Sequence, residues 1–197
     1  MNFNRPKTVA IQIAPDIYHA VCVGVWDLGL QASTGAYAAN KPSYKVMIGW
    51  ELQSGEFVNK EYTRQIDEWT DKATKMIKRT KLKEDLESWF SPHKITDPSA
   101  FDARKLLGQH CRLVIGQTSG GFPKVVSVSK PDQNAMNWEP HRQPVYFEIG
   151  DEIPVGTDNW VANRIGARLP EPEAGEESQE SPVEQSQVND PSKRVPF

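Results

Sequence analysis

Valine and aromatic residues crowd Tyr18 to Leu28 (YHAVCVGVWDL), and this run predicts a first strand. Gly29 to Pro42 follows, rich in Gly, Ala, Ser, Thr and Asn, and reads as a long loop. Ser43 to Leu52 alternates. Tyr44, Val46, Ile48, Trp50 and Leu52 share one face, while Lys45, Met47, Gly49 and Glu51 share the other. That period predicts a second strand, and the turn Gln53 to Glu56 leads into a third over Phe57 to Ile66. After Asp67 the period changes: Leu82, Leu86, Trp89 and Phe90 recur at the spacing of one helix face, and Pro92 stops it. Strands four and five are predicted at Cys111–Gln117 and Lys124–Lys130, around the turn Thr118 to Pro123. A further strand over Pro144–Ile149 and a short helix near Asn159–Ala167 close the body.

Three strands, a helix and two strands is the order of an OB-fold, a five-stranded, partly open Greek-key barrel that binds oligonucleotides in many proteins. The predicted fold class is therefore mainly β, with the helix between strands three and four.

Composition changes this picture at the C-terminal end. Residues 170–197 are rich in Glu, Ser, Gln and Pro, with Phe197 as their single aromatic. Such a segment cannot bury enough apolar area to offset its ordering entropy, so it is expected to be a disordered tail following a domain over residues 1–169. The tail carries seven acids against two bases, a net −5, so the chain total of −3 leaves the body at +2. A mildly basic body with an acidic extension points toward a polyanionic partner.

Other classes find little support. No apolar run approaches the ~18 residues of a membrane span, and Met1 to Lys7 lacks the apolar core of a secretion signal. A cytoplasmic protein is the expectation. The two cysteines, Cys22 and Cys111, have no histidine at ligand spacing, so reduced thiols are expected rather than a metal. His19, His93, His110 and His141 are scattered, and no nucleophile has an evident base partner. Glu84, Asp85 and Glu87 lie too close on one helix for a catalytic pair. Neither an enzyme nor a cofactor is predicted.

The stretch from the third strand to the fifth resembles a known family. Thr63, the helix Lys81 to Trp89 (KLKEDLESW), Phe101-Asp102 with Lys105-Leu106-Leu107-Gly108, and Val125-Val126-Ser127-Val128 are similar to phage-encoded OB-fold single-stranded DNA-binding and replication proteins. The basic run Lys72 to Lys83 is a departure from that family. The tip Val195-Pro196-Phe197 resembles the end of bacterial single-stranded DNA-binding proteins, where an apolar ring and a carboxylate dock into pockets of replication and recombination partners. In this chain Lys193 and Arg194 stand where acids are expected, which should weaken such docking. The resemblance implies a protein that coats and protects single-stranded DNA with little sequence specificity and recruits partners through its tail. RNA and self-association are both compatible with it. The competing expectation is a protein-interaction or assembly module on the same fold, since fold does not fix function.

Single strands are held by a cationic groove and aromatic platforms. Arg64, Lys72, Lys75, Lys78, Arg79, Lys81 and Lys83 place seven bases within twenty residues, around Trp69. The bland alternative for this run is a solvated helix face. Tyr44 stands beside the long loop with Lys45 as its neighbour, and Lys60, Tyr62 and Arg64 share a face of strand three. In the turn between strands four and five, Phe122 lies between glycines and Lys124, as a base-stacking finger would. Trp26, Trp50 and Trp89 are expected in the core.

Overall fold

The computed structural model describes residues 13–33, 41–132 and 138–171. The long-loop residues 34–40 and most of the predicted tail, with Val195, Pro196 and Phe197, lie outside that set.

Strand β1 (Asp16–Gln31) is the spine of one sheet. Its first half pairs with β6 (His110–Gln117) and its second half with β2 (Ser43–Leu52), both antiparallel. β2 pairs with β3 (Phe57–Thr63), and β6 with β7 (Pro123–Ser129). The path is β3-β2-β1-β6-β7, with β8 (Val145–Phe147) adding a short parallel pair to β1. A mainly β body is thus present. The closed barrel is not: no ladder joins β3 to β7 among the described residues, and the sheet stays open at that seam.

Helix α1 (Lys81–Trp89) contacts both outer strands, β3 and β7. Thr80 caps it, its hydroxyl accepting from Lys83 N, and a cap of this kind contributes about 1 kcal/mol. The predicted stripe turns inward: Leu82, Leu86 and Trp89 are buried with Val46, Ile48, Trp50, Leu113 and Val128. Trp89 lies 6.1 Å from Trp50, and its indole N–H donates to His110 O at 2.8 Å. Phe90 stacks on Trp89 at 5.1 Å, just before the turn through Pro92.

A second apolar layer covers the outer face of β1 and β2. Val161 and Ile165 of α2 (Asn159–Gly166) bury Trp26, Leu28, Met47 and Phe147. Arg164 fastens α2 through Glu61 at 2.8 and 2.9 Å and Gln31 at 2.8 Å. Two glycines make room for the large rings. A Cβ on Gly24 would meet the Trp26 ring at 1.8 Å, and one on Gly49 would meet Phe57 at 2.6 Å. Trp26 and Phe57 then meet edge to face at 6.3 Å. This layer explains why β1 is buried on both sides, as a one-sided alternation would not predict.

The basic run departs most from expectation. In place of a helix face it forms a hairpin, β4 (Glu68–Thr70) with β5 (Ile77–Arg79). Asp71 makes the turn, its carboxylate accepting from Ala73 N at 3.0 Å and Thr74 N at 2.7 Å. No helix among the described residues is long and apolar enough to cross a membrane.

Candidate nucleic-acid interface

The seam between β3 and β7 is bridged by charge. Asp85, on the inner side of α1, is buried and receives the Lys60 ammonium at 2.6 Å, the Lys81 ammonium at 3.1 Å and the Tyr62 hydroxyl at 2.9 Å. Lys60 also donates across the gap to Val126 O at 3.0 Å. The ammonium thus supplies a cross-seam contact where a backbone ladder would otherwise run. Burial holds the Lys60 pKa below its ordinary value although Asp85 favours its charge, and Lys81 and Lys124 add repulsion. Burial, then the charge of Asp85, pushes the Tyr62 phenol well above its usual range.

Two expectations are therefore corrected. Tyr62 is 3% exposed and belongs to the core, so its ring is not offered to a base. Lys60 is spent inside the protein, its side chain 14% exposed. The cause is α1, whose buried carboxylate draws both groups inward.

Arg64, just after β3 and with its side chain 55% exposed, turns toward Asp27, pairing at 2.8 Å and lying 5.2 Å over the Tyr44 ring. Arg64 lines the rim of a cavity of about 680 Å³ floored by Val25, Val46, Ile48 and Leu82. Tyr146, which bonds Glu148, and Phe101 also line it. The arginines nearby are matched, Arg64 by Asp27 and Arg104 by Glu148, so this mouth has no surplus of cations for phosphates. Tyr44 and Arg64 thus face away from the hairpin, because strand alternation separates them from Lys45 and Thr63.

Of the remaining candidates, Trp69, Arg79 and Lys81 line a shallower hollow of about 410 Å³, together with Thr63, Gln65 and Asp67. Lys45 reaches its edge, donating to Thr63 Oγ1 at 3.3 Å. Trp69 is 52% exposed and opposes Lys78 across the hairpin, so ring and ammonium share one face. The basic run divides at the hairpin root. Arg79 pairs with Glu68 and Glu87, Lys81 with Glu84 and Asp85, and the buried Lys83 with Glu68 at 3.0 Å. Burial opposes the charge of Lys81, but Asp85 and Glu84 prevail and raise its pKa. Lys72, Lys75 and Lys78 make no ion pair among the described residues.

On the far side of the seam, Phe122 is 63% exposed in the tight turn between β6 and β7, where its N–H donates to Thr118 Oγ1. Its ring rests against Gly120, where a Cβ would lie 3.3 Å away. Phe122, Lys124 and Val126 alternate with the buried Val125, which sets them on one outward side. Lys81 and Lys124 act on Lys60 from the two sides of the seam.

Sequence reasoning missed Thr63, Gln65 and Asp67 as lining groups, and it missed the hairpin itself. The signal was present in Asp71, a turn-former followed by the short polar Thr74. Among the described residues no group of three or more His, Cys, Asp or Glu could hold a metal. Cys22 and Cys111 are both buried; burial pushes the Cys22 thiol up to about 12 and Cys111 well above its usual value. Comparison with known proteins returns no matching family model, no matching curated protein and no matching solved structure.

Proposed function

We propose that the protein binds single-stranded nucleic acid, DNA in the first place, on the outer side of the β3–β7 seam. The observation that carries this reading is the unmatched cationic surface beside two exposed rings. Lys45, Lys72, Lys75, Lys78 and Lys124 have no acidic partner among the described residues, while the exposed Trp69 stands opposite Lys78 on the hairpin and the exposed Phe122 two residues before Lys124. Sequence-independent binding of unpaired strands needs those two ingredients, because every base has a π-face and every nucleotide a phosphate. The strand path β3-β2-β1-β6-β7, with α1 between its third strand and the next, supports an OB-type body that lacks its closing ladder. In that fold the outer face of strands two and three is a common binding surface. In this chain α2 and Arg164 cover part of it, which shifts the proposed path toward the hairpin and the β6–β7 turn.

A role in phage replication or recombination, and recruitment of partners through the Val195-Pro196-Phe197 tip, extend this proposal on the strength of the sequence resemblance alone.

The test is a fluorescence-anisotropy titration of oligo-dT, duplex DNA and RNA over a range of salt. With five lysines on phosphates, log affinity falls against log salt with a slope of about −3.5. A slope near zero removes the electrostatic path. Absence of binding to any nucleic acid favours the interaction-module reading instead.

A further inference from the structure

The β4–β5 hairpin holds more apolar surface than a single-strand path needs. Met76, just before β5, and Ile77, its first residue, are 63% and 59% exposed. Ile77 opposes Thr70 on one face of the ribbon. Met76 falls on the other face with Trp69 and Lys78, since Asp71 N bonds Met76 O at 2.9 Å. The ribbon thus carries an apolar side chain on each face just below its turn, with Lys72 and Lys75 in the turn itself. It is also preformed. The Asp71 carboxylate and backbone close the turn, and Lys75 is held in the left-handed region at φ 58°. A flexible tether needs no such turn, and a purely solvated one needs no paired Met and Ile.

We propose that this hairpin is a wedge for the junction between single-stranded and duplex nucleic acid. Met76 and Ile77, one on each face of the ribbon, pack against the two parted bases at the fork, while Lys72 and Lys75 approach the duplex phosphates. Apolar side chains on basic ribbons act in this way at base steps, and a two-stranded ribbon has the width of a major groove. The inference rests on the proposed single-strand path, because that path leads to the hairpin root. The hollow lined by Trp69, Arg79 and Lys81 delivers a strand to the base of the ribbon, and the duplex from which it emerges then lies at the tip. A membrane surface is the other polyanion with an apolar interior. The adjoining stacking ring and hollow favour nucleic acid over it.

The test compares the full chain on oligo-dT, on blunt duplex, and on the same duplex with an oligo-dT overhang. A 2-aminopurine at the last base pair reports unstacking. The overhang substrate is expected to bind about tenfold more tightly than oligo-dT, with a rise in 2-aminopurine fluorescence. Met76→Ala with Ile77→Ala abolishes both effects and leaves oligo-dT affinity within about twofold. These are exposed side chains, so circular dichroism and melting temperature should match the parent. Met76→Leu with Ile77→Val, which keeps an apolar tip, retains most of the gain. Equal affinity for oligo-dT and the overhang substrate, with oligo-dT still bound, overturns the wedge and leaves the single-strand reading standing. Loss of all nucleic-acid binding overturns both. Equal junction affinity together with tip-dependent binding to phosphatidylserine-containing vesicles would assign the hairpin to membranes and overturn the wedge.

Discussion

Replacing Asp85 by alanine asks whether the β3–β7 seam is held by its buried charge. The substitution leaves the Lys60 ammonium and the Tyr62 hydroxyl without their acceptor in a site where the Lys60 side chain is 14% exposed and that of Asp85 only 5%. Removing one partner of a buried ion pair costs about 3–5 kcal/mol, since the other charge stays desolvated and unpaired. Lys81 is half exposed, so its share is small. At about 2–4 °C per kcal/mol for a chain of this size, the melting temperature should fall by roughly 6–20 °C. Lys60→Met is expected to cost less, because Asp85 keeps Lys81 and Tyr62 while an apolar stem fills the gap. Differential scanning calorimetry and urea unfolding read both variants, and a Lys60→Met/Asp85→Ala double mutant isolates the coupling. A loss below about 1 kcal/mol for a folded Asp85→Ala protein would refute the reasoning. Lys60 would then be free to serve a ligand, and the seam would be held by packing alone.

Other consequences are equally direct. Trp26, Trp50 and Trp89 are buried, and the exposed Trp160 lies on α2 against Phe57, so most of a fluorescence change on adding single strands should be lost in Trp69→Phe; a change of undiminished size places the ligand elsewhere. Trp69→Ala should weaken oligo-dT binding by about 1–3 kcal/mol in the same titration. Burial pushes the Glu51 carboxyl upward, yet N–H donors of His141 and Arg142 with the His141 ring outweigh it and hold the pKa below normal. Its stabilisation is therefore complete above the unfolded carboxyl value of about 4.3 and is lost as pH falls through the lower folded value. Glu51→Gln should flatten that acid limb in melting temperature against pH, and an unchanged limb refutes the clamp. Trp89→Ala, which empties the contact with Trp50 and frees His110 O, should cost about 3–5 kcal/mol in urea unfolding.

Local pattern determined the strands and helices outside the β4–β5 hairpin. The alternation of Ser43–Leu52 placed β2 at its observed limits, and the stripe Leu82-Leu86-Trp89 placed α1 and the face it buries. These readings depend only on how side-chain direction repeats along a strand or a helix, which the chain carries residue by residue. The burial of Trp50 followed from the same alternation. What tertiary structure alone decided is which candidates are drawn into the core or matched by an acid. Tyr62 and Lys60 share a face of β3 that looks mixed and exposed in sequence, but a carboxylate 23 residues beyond Tyr62 turns both inward. Arg64 faces the cavity mouth because Asp27, far off in sequence, stands opposite. The basic run divides into matched and unmatched halves because a hairpin brings Glu68 to Arg79 and Lys83. Charge neutralisation depends on distance across the fold, and no period along the chain encodes that distance.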